Sequence, residues 1–304
     1  MTDILITTDS GNLFDYNRHT KQLTLLFRVY NNNEYLLGIT KNKENLYVCS
    51  NYILYPSYGN PMIFNRNPLI QHIKCIGDYL FLPGIHNTIV VLNKDLKTHI
   101  GTIWFRPTTK KTGADVLSNI TFTGEEFYVQ FISVATDTNQ NAFFEEFPRS
   151  SGAIRLDKNM NLIAKTAFGK EIVLTEFVDG KFYSICNYLD EDMGGLLVDG
   201  ELKITWDSRY KIHDMVIEDN EIFLVGEVFY NMLGGAILRL DRQFNIIDRE
   251  LFGGYGCFLG CTSENDKTNL YDMDIDVSSW DERLEKNGEV KIYKKEIELI
   301  NDPI

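Results

Sequence analysis

Three polar side chains stand at one offset from a recurring apolar pair. Counting back eight residues from Leu80 gives His72, from Phe127 gives Asn119 and from Ile222 gives Asp214; from Leu46 it gives Gly38. Before Phe182 the turn reads one residue shorter, which brings Thr175 to that level with Glu176 beside it. A histidine, two carboxylates and an amide at one height could hold a divalent cation such as Ca or Mg, with Asp214, Glu176 and His72 as ligands. Without a metal, Asp214 and Glu176 would act as bases and His72 as a general acid–base group. Asn119 would be a ligand contact or oxyanion donor, with Thr175 a further ligand contact. The competing reading is structural: Asp, Asn and His at a strand start satisfy backbone donors and tie neighbouring strands together. His213 adjoins Asp214 and, by strand alternation, is expected to point the other way.

Other chemistry is sparse. There is no Gly-rich phosphate loop, nucleophile elbow or His-Glu-x-x-His pattern. Cys257-x-x-x-Cys261 has no second pair at metal spacing, so the five cysteines read as buried free thiols rather than a disulfide framework. The longest interruption, Gln130–Ser151, carries Phe143, Phe144 and Phe147. It is either packed on its own sheet or available as a lid or partner contact, with Phe143 and Phe144 as binding residues. Asp272–Asp276 alternates acidic with apolar residues, as a strand with three carboxylates on one face would. Asp276–Asn287, with Trp280, reads as an insertion carrying a short surface helix.

Charge narrows the partners. The 304-residue chain has a formal net charge of −13, and its basic runs are no longer than Lys110-Lys111 or Lys294-Lys295. A phosphate backbone or anionic membrane would be repelled, so neither is an expected partner. No stretch reaches transmembrane length. Met1–Leu5 does not open a basic segment followed by a long apolar run, and a reduced, cytoplasmic setting is the expectation.

The elements that must position these residues are strands. A phrase of Gly, alternating apolar positions, then Asn or Asp recurs at Gly11–Asn17, Gly59–Asn65, Gly152–Asp157, Gly195–Asp199 and Gly235–Asp241. Asn87–Asn93 matches with Asn for Gly, and Gly288–Lys294 is a weaker seventh copy. An apolar strand precedes each, starting near Ile4, Leu46, Leu80, Phe127, Phe182, Ile222 and Leu270. Leu46 and Ile222 lie 176 residues apart over four steps, a mean of 44, the period of a four-stranded propeller blade. Gly77-Asp78, Gly124-Glu125 and Asp179-Gly180 supply hairpin turns to a preceding strand. No 3.6-residue period persists, so the prediction is an all-β chain with little helix.

With these repeats the chain resembles the β-propeller superfamily over essentially its whole length, and among its members the irregular-repeat lactonase-like and quinoprotein-like propellers. The resemblance implies one propeller domain over 1–304, closed by pairing of N- and C-terminal strands, with a ligand site at a channel mouth. Seven copies favour seven blades, with Glu296–Asn301 completing the first. Six blades and a C-terminal tail follow if the segment after Cys257 does so instead. The expected function is binding: the mouth and the 130–151 loop hold a small ligand or a protein. The alternative is an enzyme at that mouth, a metal-assisted hydrolase, lactonase or lyase.

Overall fold

A computed structural model describes residues 3–29, 35–64, 69–106, 114–134, 150–168, 170–189, 193–230, 232–280, 290–294 and 299–300. Its strands form six antiparallel sheets, the blades. The innermost strands of blades 1 to 6 are Phe258–Thr262, Gly38–Lys41, Lys74–Ile76, Ala114–Phe122, Glu171–Val178 and Tyr210–Ile217. Each touches the next, and Tyr210–Ile217 touches Phe258–Thr262, so the ring closes. This is the predicted β-propeller. Among the described residues the helical content is one 3-10 turn, Val277–Ser279.

The seven-blade expectation is corrected to six, the alternative reading. Blade 1 takes its innermost strand from Phe258–Thr262, which pairs with Ile4–Thr8. Of Glu296–Asn301 the described part, Leu299–Ile300, pairs with Met62–Phe64 at the outer edge of blade 2. The Gly288–Lys294 phrase likewise becomes a fifth, outermost strand, Val290–Tyr293, on blade 3. The Gly59–Asn65 phrase is the fourth strand of blade 2 rather than its third. A turn followed by apolar alternation marks a strand but not its place in the sheet, and the count of phrases therefore overshot.

Apolar clusters fill the wedges between neighbouring blades. Phe81, Phe127 and Trp280 sit between blades 3 and 4, and Leu174, Ile185, Ile212 and Leu224 between blades 5 and 6. Tyr16, Phe223 and Phe258 join blade 6 to blade 1. A tilted contact between the Tyr128 and Phe182 rings, with centroids 4.5 Å apart, helps join blades 4 and 5. Such burial supplies the main stabilisation, at about 25 cal/mol per Å² of apolar surface removed from water.

After blade 1 closes, the chain runs as a strap, Ser263–Trp280. Lys267 N donates to Ile217 O of blade 6 at 2.7 Å, and three residues later Leu270 bridges Ile76 of blade 3. Three residues reach about 10 Å at most. Blades 6 and 3 face each other across a six-membered ring, so the strap crosses the channel at the end where the inner strands finish. Trp280 then plugs the wedge between blades 3 and 4, its Nε1 donating to Lys158 O at 2.8 Å. Asp272–Asp276 is therefore irregular strap, not the expected strand, and the expected helix is the Val277–Ser279 turn. Residues 281–287 of that insertion lie outside the described residues.

Candidate functional site: a cup at one channel mouth

The inner strands share one irregularity. Their ladders slip by one residue at Leu259, Ser118, Val173 and His213 in blades 1, 4, 5 and 6. In blade 3 the Ile70–Gly84 bridge and the Lys74–Phe81 pair enclose the same slip, at Gln71. In blade 2 Leu37 N donates to Cys49 O, although Cys49 pairs with Gly38. A bulge adds a residue and re-aims its side chain. All six bulge residues, one per blade, line a cavity of about 590 Å³ at the mouth opposite the strap.

One residue further along each strand lie Gly260, Gly38, His72, Asn119, Leu174 and Asp214. The eight-residue alignment of His72, Asn119, Asp214 and Gly38 is the register observed. In blade 5 the expectation is corrected: Phe177 pairs with Phe182, so the turn is no shorter and Leu174 holds the level assigned to Thr175 and Glu176. Glycine is required in blades 1 and 2, because a Cβ on Gly260 would lie 3.1 Å from Gly38 Cα and 2.8 Å from Thr7 Oγ1.

The polar residues at this level and the one below tie blades together. His72 Nε2 lies 3.9 Å from Asp214 Oδ2, across the ring from blade 3 to blade 6. Asp214 also accepts from Met215 N and, in blade 1, from Cys261 N, both at 2.8 Å. Glu176 and Lys74 lie one side-chain level deeper. Lys74 Nζ donates to Glu176 Oε1 at 2.8 Å, and Asn119 Nδ2 donates to the same oxygen at 3.0 Å and to Thr175 O at 2.9 Å. Thr175 turns its hydroxyl into the sheet, to Gln130 and Ser184. The structure thus sets His72 against Asp214 at one level, while Asn119 reaches from that level down to Glu176. Among the described residues no three His, Cys, Asp or Glu side chains stand close enough to share a metal ion. Phe143 and Phe144 lie outside the described residues.

His72 is 93% buried by its 7% exposure, and neither ring nitrogen has a hydrogen-bond partner. Ser118 Oγ is likewise buried and unsatisfied. Both line the mouth. Strand alternation placed His213 away from the site; the bulge turns it in, with Nε2 3.4 Å from Glu227 Oε1. Burial works to raise the Glu227 carboxyl, but His213, Cys257 and Lys211 outweigh it, and its pKa lies below the ordinary glutamate value. Lys211 Nζ rests 3.1 Å from the Tyr188 ring centroid. Sequence reasoning missed Ser118, a bulge residue, Tyr188 and Glu227, which stand on second strands, and Glu171 and Lys211, which lie on inner strands two residues before a bulge.

Of the thiols, Cys257 acts on the cup through its hydrogen bond with Glu227. All five cysteines are buried, and burial pushes Cys75 up to about 12 and Cys186 up to about 11. Among the described residues no helix is long and apolar enough to cross a membrane.

No family model matches the chain, and no curated protein matches it. Solved structures do. A chain of the nidogen/laminin complex is 11% identical with a TM-score of 0.54, covering 86% of this chain and 98% of its own. A protein of unknown function from Bacteroides caccae gives 11%, a TM-score of 0.52 and the same coverages. At such identity the likeness is one of fold. With the strand order and the closed ring, the fold is that of a six-bladed β-propeller.

Proposed function

We propose that this propeller binds a small molecule in the cup. The observation that carries the reading is the set of six bulges, which turn one residue from every blade into a single cavity. Apolar walls with a few convergent polar groups are the ordinary make-up of a ligand site. Leu37, Leu259 and Val116 supply walls, and His72 and Ser118 supply unsatisfied polar atoms. The strap closes the other end, which favours a cup over a through-channel. A buried polar atom without a partner costs about 1–3 kcal/mol, and a ligand that satisfies it recovers part of that cost.

The test is a thermal-shift screen of cationic, neutral and anionic fragments, repeated on Val173→Trp and Ser118→Trp. Both substitutions fill the mouth, from the adjoining walls of blades 5 and 4. Hits that stabilise the parent and are lost in both blocked variants support the reading. Hits that survive both blocks place binding elsewhere and overturn it.

A further inference from the structure

The outer rim of the ring carries a second feature, independent of the cup. In two blades the chain extends the sheet past its fourth strand: Val290–Tyr293 lies antiparallel on blade 3 and Leu299–Ile300 on blade 2. The blade edges of this protein thus accept a further antiparallel strand. Among the described residues, blades 1, 4, 5 and 6 end at their fourth strands, Gln22–Arg28, Leu162–Phe168, Glu201–Asp207 and Ile246–Gly253.

Three of these edges carry charges between their ends, which discourage a further strand from pairing. Lys165 sits on that of blade 4, Lys203 on that of blade 5, and Asp248, Arg249 and Glu250 on that of blade 6. Gln22–Arg28 carries none before Arg28 itself. All of its residues but Leu23 are exposed, with Leu25, Leu26 and Phe27 at 51%, 53% and 40%. An exposed apolar edge with free backbone N–H and C=O groups is a template for another strand.

The segment also complements itself. Turned antiparallel about Leu25, it sets Leu23 against Phe27 and Thr24 against Leu26, with Leu25 on the axis. Gln22 falls opposite Arg28, so no like charges meet. The ammonium of the preceding Lys21 is already paired with Asp248. The ladder to Asn12–Asn17 slips by one residue at Leu26, and such a bulge bends the edge and keeps the paired run short.

We propose that two copies of this chain associate through Gln22–Arg28, antiparallel and about a two-fold axis, so that their first blades form one continuous sheet. A single strand pair is a small contact, and the net charge of −13 on each copy opposes it. Association is therefore weak, and salt strengthens it by screening that charge while leaving the apolar pairing intact.

Sedimentation velocity of the full chain in low and high salt tests this. In high salt the chain is a monomer at about 2 µM and largely a dimer at about 200 µM, for a Kd on the order of tens of micromolar. Leu25→Lys sets ammonium against ammonium across the axis, and Leu25→Glu sets carboxylate against carboxylate. Leu25 is half exposed, so both variants keep the fold. Each alone weakens association by about tenfold or more, and an equal mixture of the two associates more tightly than either. Ile163→Lys, a comparably exposed position on the edge of blade 4, leaves association unchanged. A chain that stays monomeric across the whole range overturns the proposal. So does a dimer indifferent to both Leu25 substitutions, or one that Ile163→Lys weakens as much.

Discussion

His72 and Asp214 face each other, yet they answer to different demands. Asp214 holds two backbone N–H groups, one of them across the joint between blades 6 and 1, whereas His72 makes no hydrogen bond. Asp214→Ala therefore leaves buried donors unsatisfied and loses about 1–3 kcal/mol in urea denaturation, while His72→Ala changes stability little and weakens ligand binding. Equal destabilisation by both would make the pair structural. A level deeper, Lys74→Met strands the Glu176 carboxylate in the channel and costs about 3–5 kcal/mol, whereas Lys74→Met with Glu176→Leu recovers most of it. Asp266, fully buried in the strap, is pushed up to about 7, chiefly by burial. A carboxyl whose pKa is raised on folding stabilises most below its unfolded value of 3.8, and that contribution is lost as pH rises through 7. Melting temperature followed from pH 5 to 8 falls more steeply in the parent than in Asp266→Asn. Parallel curves would show that Asp266 is not the group responsible.

At the scale of elements, the sequence carried the strands, their hairpin turns and the inner-strand register in blades 2, 3, 4 and 6. It did so because Gly-Asp and Asp-Gly turns and apolar alternation are local signals. The bulges were not legible. One extra residue in a ladder has no composition of its own: the re-aimed residues are Leu, Gln, Ser, Val and His. That is why His213 was placed facing away; Glu227 and Tyr188 were missed because they come from second strands. The strap was equally hidden, since Leu270-Tyr271 imitates a second strand and only tertiary packing makes it a crossing. Trp280 anchors this strap with its ring buried against Phe81 and Phe127, each with centroids 6.2 Å away. Trp280→Ala opens a large cavity there and costs about 3–5 kcal/mol, read as a lowered urea midpoint. A loss below about 1 kcal/mol would mean the strap is held elsewhere.

At the scale of the whole molecule, the ring depends on one late strand. Ile4–Thr8 pairs on its inner side with Phe258–Thr262, 254 positions further on by Ile4 and Phe258. The same strand packs on Tyr210–Ile217 and Gly38–Lys41, and Cys261 N completes the Asp214 carboxylate. Closure removes an edge that would otherwise offer unpaired N–H and C=O groups to other chains. Removing everything after Gly256 takes away that strand, the strap and Trp280 together. The truncated chain keeps blades 4 to 6, whose strands are contiguous in sequence, but exposes Ile4–Thr8 as a free edge beside an open wedge. It is expected to associate in size-exclusion chromatography and to lose the single cooperative transition of the full chain. Adding the missing 257–304 segment as a separate polypeptide restores a monomer-sized complex, since the strand that closes the ring needs no covalent link to find its edge. A truncated chain that stays monomeric and melts as cooperatively as the parent would show that the ring is held by its blade wedges alone, without this closing strand.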